Sequence, residues 1–123
     1  MRNVMMRLAS WGCDTKAALE RMADDRDFYL TLLGELLADP LFSQLRRALD
    51  CGDVKEAFET AHTLKGVLGN LSLTPMYAQI CEIVELLRSG TTQGVEPHYE
   101  ELMRLFEQLR SILNSDKESS AEK

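Results

Sequence analysis

Apolar residues along this chain recur at spacings of three and four. Ala57, Ala61, Leu64, Leu68 and Leu71 draw one stripe, and Met76, Ile80, Ile83 and Leu87 draw a second. Tyr99, Leu102, Phe106, Leu109 and Leu113 form a third, and Tyr29, Leu32, Leu33, Leu36 and Leu37 gather on one side of a pattern from Asp25 to Ala38. Such spacing places each set on a single face of an α-helix. Alternating runs of β-branched and aromatic residues, the mark of half-buried strands, are absent. The sequence is all-α.

Helix punctuation falls between the stripes. Asp14 is placed to cap a short helix through about Met22. Pro40 either starts a separate helix through Ala48 and Leu49 or kinks one continuous helix, because proline lacks the amide donor and crowds the preceding turn. Cys51-Gly52 closes that pattern, and Asp53 with Glu56 resembles a capping box restarting a helix at Val54. Thr74-Pro75 reads as the cap and first turn of the next helix, which Gly90 ends. A linker over Thr91–Gly94 then leads to a last helix from about Glu96 to Asn114.

One-sided helices with short connections bury their stripes by packing against each other, so the expected architecture is an antiparallel up-and-down bundle with a short additional N-terminal helix. Residues 1–114 form one domain in this reading, and the polar segment 115–123 is a disordered tail.

Composition narrows the function classes. The 123 residues are 45% hydrophobic and 28% charged, which suits one core without disulfides or a structural metal. A net charge of -6, with Arg46-Arg47 as the only short basic pair, argues against a nucleic-acid surface. No apolar stretch approaches the roughly 18 residues of a membrane helix. Cys13, Cys51 and Cys81 lack metal-site or disulfide spacing and read as buried small hydrophobes. The expectation is a soluble, cytoplasmic, free-standing monomer.

The chemistry sits on the face of the Val54 helix that its core stripe leaves free. With Ala61 at the centre of the buried arc, about 100° per residue turns His62 away from it, among Lys55, Phe58, Gly66 and Gly69. A mid-helix glycine costs roughly 1 kcal/mol relative to alanine, and both glycines fall on the His62 face. They imply close approach of another molecule there, although Gly69 equally suits tight helix packing. Lys65 lies one turn from His62, where its charge would offset that of a group attached to the imidazole. Opposite unit charges at about 4 Å attract by roughly 4 kcal/mol at an effective dielectric near 20, an upper guide for an exposed pair. Phe58 suits either a docking contact or a boundary position in the core. His98 has no comparable setting and reads as ordinary surface.

Ala61-His62-Thr63-Leu64-Lys65-Gly66 resembles the signature of histidine-containing phosphotransfer domains. Phe28-Tyr29-Leu30 with Leu32-Leu33 resembles the family's N-terminal segment, and Ala48-Leu49-Asp50-Cys51-Gly52-Asp53 the turn before its histidine helix. The resemblance implies a four-helix bundle in which His62 is phosphorylated, Lys65 neighbours the phosphoryl group, and Gly66, with Gly69, gives a receiver domain access. Phe58 and Lys55 would belong to the docking surface. The implied partners are response-regulator receiver domains and an upstream sensor or hybrid histidine kinase. The chain itself would need no cofactor, magnesium being carried by the receiver, and would have no kinase activity, in keeping with the absence of a phosphate-binding glycine loop.

The pattern departs from the family at Ser72, where glycine is common, and no residue after Pro75 is clearly placed to hold the imidazole, Gln79 being an unsupported candidate. Two rivals compete with this reading. One is a bundle adaptor that binds receivers without transferring phosphate. The other is a metal-binding bundle, disfavoured because no inward Glu-x-x-His pair occurs on two helices.

Overall fold

The computed structural model describes the backbone of residues 4–121 and the side chains of residues 4–114. Among these the chain forms seven helices and no strand: α1 (Val4–Trp11), α2 (Thr15–Arg21), α3 (Arg26–Leu37), α4 (Leu41–Cys51), α5 (Val54–Asn70), α6 (Thr74–Arg88) and α7 (Val95–Ala121). The tail expected over 115–123 lies outside the described side chains, and the backbone of α7 runs on to Ala121.

Three aspartates open helices as their positions suggest. Asp14, Asp25 and Asp53 accept from the backbone N–H of Ala17, Phe28 and Glu56 at 3.1, 3.0 and 3.1 Å. Each bond satisfies one of the orphan donors of a first turn and is worth about 1 kcal/mol. At Pro40 the chain breaks rather than bends: α3 stops at Leu37, Asp39 Oδ1 accepts from Leu41 N at 2.9 Å, and α4 starts afresh. Gly52, with φ 72°, ends α4 in the left-handed conformation that glycine adopts without steric cost. The start of α6 differs from expectation by one residue. Leu73 holds the cap position, Thr74 is already helical, and no side chain caps this end.

The stripes pack as one core. Ala57, Ala61, Leu64, Leu68 and Leu71 of the α5 stripe meet Met76, Ile80, Ile83 and Leu87 of α6, all buried. Complete burial of a leucine or isoleucine side chain contributes about 1.5–3 kcal/mol. α5 packs between α4 and α6, α6 packs on α7, and α3 also touches α7. At the last described side chains of α7 Ile112 is buried, while the expected Leu113 is only half-buried, because the stripe drifts around a straight helix.

Two features were not anticipated. The N-terminal residues form α1, whose Val4 and Leu8 are buried and which packs on α7, where Trp11 Nε1 donates to Gln108 at 3.0 Å. The cysteines are also not alike. Cys13 is buried, but Cys81 is half-buried and Cys51, in the last turn of α4, is exposed.

Candidate functional site

α5 is fixed along its buried side and open along the other. Ala61 and Leu64 are inaccessible to solvent, whereas His62, between them on the opposite arc, is exposed. The backbone geometry that buries the stripe therefore presents the imidazole outward on a rigid element. One turn before it, the Phe58 ring lies 5.8 Å from the imidazole, tilted by 33°. Arg88 of α6 stacks on Phe58 with its guanidinium carbon 5.2 Å from the ring centre. Phe58 is half-buried, so it both fills the α5–α6 boundary and faces the histidine.

On the other side of His62 a groove of about 670 Å³ runs along α5. His62, Lys65 and Gly66 line it from α5, Tyr77 from α6, and Asp14 and Arg21 from the α2 region. Lys65 is half-buried and makes no ion pair among the described residues. Its ammonium is thus available to an anion beside the imidazole. At Gly66 an added Cβ would meet nothing within 4 Å.

Gly69 behaves differently. A Cβ there would stand 3.0 Å from Tyr77 Cε1, so the space this glycine leaves is taken by α6. Gly69 also lines the groove, so it lies against Tyr77 on one side and beside the open surface at Gly66 on the other, in keeping with both of its readings. Lys55 is exposed near the start of α5 and does not line the groove.

The two residues left without a role in the sequence pair with each other. Gln79 Oε1 lies 2.9 Å from His98 Nδ1, linking α6 to α7, so Gln79 is engaged away from His62. Among the described residues no side chain hydrogen-bonds the His62 imidazole, and no group of three or more His, Cys, Asp or Glu is placed to hold a metal ion.

Sequence reasoning missed Arg21, Tyr77 and Arg88. Arg21 reaches the α5 face from α2, and Tyr77 and Arg88 reach it from α6, whereas helical spacing reports only neighbours on the same helix.

A polar histidine face on a buried-stripe helix, with a lysine one turn on and an open glycine beyond it, is the arrangement the local signature implies. A family model, the Hpt domain, matches residues 31–112. The chain belongs to the Hpt domain family. The match covers α4, α5 and α6, most of α7 and the second half of α3, and leaves α1, α2 and the Arg21 wall of the groove outside it. No curated protein and no solved structure gives a significant match. Hpt domains act in histidine phosphotransfer within two-component signalling, as phosphocarriers rather than kinases, and this Hpt domain has a helical architecture suited to that role. No helix among its described residues is long and apolar enough to cross a membrane.

Proposed function

We propose that this Hpt domain carries a phosphoryl group on His62, accepting it from a receiver-domain aspartyl phosphate or an upstream kinase and passing it to another receiver. The observation that carries the reading is the exposed imidazole of His62 with Lys65 and the open Gly66 in one groove. A nitrogen lone pair of the neutral ring forms the N–P bond as the P–O bond of the aspartyl phosphate breaks. The aspartate leaves as a carboxylate, and the other ring nitrogen keeps its proton. Return transfer reverses these steps on a second receiver.

Transfer of this kind depends on positioning and charge stabilisation more than on acid–base chemistry. Rigid α5 supplies the first and Lys65 part of the second, while magnesium and the remaining catalytic groups belong to the receiver. The scaffold is an antiparallel four-helix bundle of the α3–α4 pair with α5, α6 and α7, to which α1 and α2 are added. The protein works as a cytoplasmic monomer and needs no cofactor of its own.

The test is transfer from receiver domains phosphorylated with acetyl phosphate to the wild-type chain and to His62→Gln, followed as acid-labile, base-stable label. Label on the wild type alone supports the carrier. Receiver binding without transfer would replace it with the adaptor reading.

A further inference from the structure

Arg21 closes the α2 side of the groove, and its hydrogen bonds differ from those of the four arginines that form ion pairs. Arg46, Arg88, Arg104 and Arg110 each pair with a carboxylate. Arg21 instead uses one nitrogen, Nη1, to donate to the carbonyl of Asn70 at 3.0 Å and to Ser72 Oγ at 2.7 Å. Those acceptors are neutral, and no carboxylate pairs with Arg21 among the described residues. The guanidinium is therefore held in place while its charge and its remaining N–H groups stay uncommitted.

The groove gathers charge of the opposite sign to the chain as a whole. The protein carries a net charge of -6, yet the groove is lined by two cations, Arg21 and Lys65, against one carboxylate, Asp14. Asp14 is already engaged as the cap of α2.

Distance then separates the two cations by role. Lys65 is one turn from His62, but Arg21 is anchored at Asn70 and Ser72. Eight residues of α-helix, from His62 to Asn70, span about 12 Å. That is beyond the reach of a phosphoryl group on the imidazole and within the footprint of a protein that docks over it.

We infer that Arg21 is a partner-recognition residue, a pre-positioned cation that meets an acidic group on the receiver surface when the receiver's phosphoaspartate faces His62. The inference rests on the phosphocarrier reading for the identity of the partner, and it adds a contact from a helix outside the family-matched region. A charge fixed in a groove accelerates encounter with an oppositely charged surface, and salt weakens the effect.

The experiment measures the second-order rate constant for transfer from the fastest of a panel of acetyl-phosphate-treated receivers, as a function of ionic strength. Arg21→Gln is expected to lower the rate about three- to tenfold at low salt and to flatten its dependence on ionic strength. Arg21→Lys restores the charge without the two-acceptor fork, and should keep the wild-type salt dependence even if its melting temperature falls. Equal salt dependence in wild type and Arg21→Gln would overturn the inference and leave Arg21 a structural clamp.

Binding of the same receivers, titrated in parallel, separates this from the phosphocarrier reading. If the wild type binds without transfer and Arg21→Gln weakens that binding in a salt-dependent way, the carrier reading falls and the recognition role stands. If no receiver binds the wild type, both fall.

Discussion

Tyr77 occupies the volume that a side chain on Gly69 would need, its Cε1 standing 3.0 Å from the position of a Cβ. Gly66, one turn earlier on the same helix, has nothing within 4 Å. At about 100° per residue Gly66 stands about 140° and Gly69 about 80° around the helix from Ala61, so the second meets α6 and the first faces open space. Gly66→Ala should stabilise the protein by up to about 1 kcal/mol, the helix-propensity difference, because the new methyl meets nothing. Gly69→Ala should gain less or lose stability, since the Tyr77 ring must shift. Urea denaturation of the two variants measures the contrast, and equal gains would mean that Tyr77 yields freely. Gly66→Leu, which projects a larger group beside His62, should fold and yet block receiver transfer.

Ser72 adopts φ 58° in the turn between α5 and α6, a left-handed conformation that costs a non-glycine residue about 1–2 kcal/mol. Its hydroxyl accepts from Arg21 at 2.7 Å, which offsets part of that cost. Ser72→Gly alone should therefore change stability by less than about 0.5 kcal/mol, strain relief and lost hydrogen bond opposing each other. In an Arg21→Ala background the hydrogen bond is already gone, and the same substitution should stabilise by about 1 kcal/mol. A double-mutant cycle by chemical denaturation reads the difference directly. Identical effects in both backgrounds would show that the Arg21–Ser72 bond contributes nothing to the turn.

The elements legible in the sequence were those whose signals are local. Asp14, Asp25 and Asp53 sit at helix starts because a carboxylate three residues before an amide can cap it, and the α5 and α6 stripes are buried along their whole length. His62 could be placed outside the core for the same reason. The short α1 offered only Val4 and Leu8 as buried positions, one turn apart and too few to declare a period. Gly69 remained open between two readings because its partner, Tyr77, lies on another helix. Gln79 and His98 carry no sign in the chain that they face each other. Pro40 left two outcomes, and the break rather than a kink follows from Asp39, whose side chain serves the first amide of α4. The groove is legible along α5 alone. Its α2 wall and its α6 wall are tertiary facts.

Lys65 is the groove cation nearest His62 in sequence, and it has no carboxylate partner among the described residues. Removing it should leave the fold unchanged, since no described ion pair is broken. Lys65→Ala is expected to slow transfer to His62 by about tenfold, corresponding to about 1.4 kcal/mol of charge stabilisation in the transition state. Lys65→Arg should recover part of the rate. Single-turnover transfer from a phosphorylated receiver distinguishes this from a docking effect, because a loss that persists at saturating receiver belongs to the chemical step. An unchanged saturated rate would remove Lys65 from the vicinity of the phosphoryl group.

The buried pair of Cys13 and Tyr29 ties the N-terminal segment to the end of the His62 helix. Tyr29 donates its phenolic proton to the carbonyl of Leu71 at 2.7 Å, and Cys13 Sγ lies 2.9 Å from the phenolic oxygen of Tyr29. A carbonyl only accepts, so the single phenolic proton is committed to Leu71 and the thiol must donate to Tyr29. Burial raises both groups above their ordinary pKa values of 9.0 for Cys13 and 10.0 for Tyr29. The folded state therefore holds protons that the unfolded chain releases as pH rises through those values. Stability from this pair is complete below about pH 9 and declines above it, by up to about 1.4 kcal/mol per pH unit for each proton retained. Tyr29→Phe should cost about 1–3 kcal/mol at neutral pH, because the buried Leu71 carbonyl loses its partner. Above pH 10 the gap between wild type and variant should narrow, since phenylalanine has no proton to retain. Denaturation curves taken from pH 7 to pH 11 test both halves, and a gap that stayed constant across that range would mean that Tyr29 ionises no differently in the folded protein than in the unfolded chain.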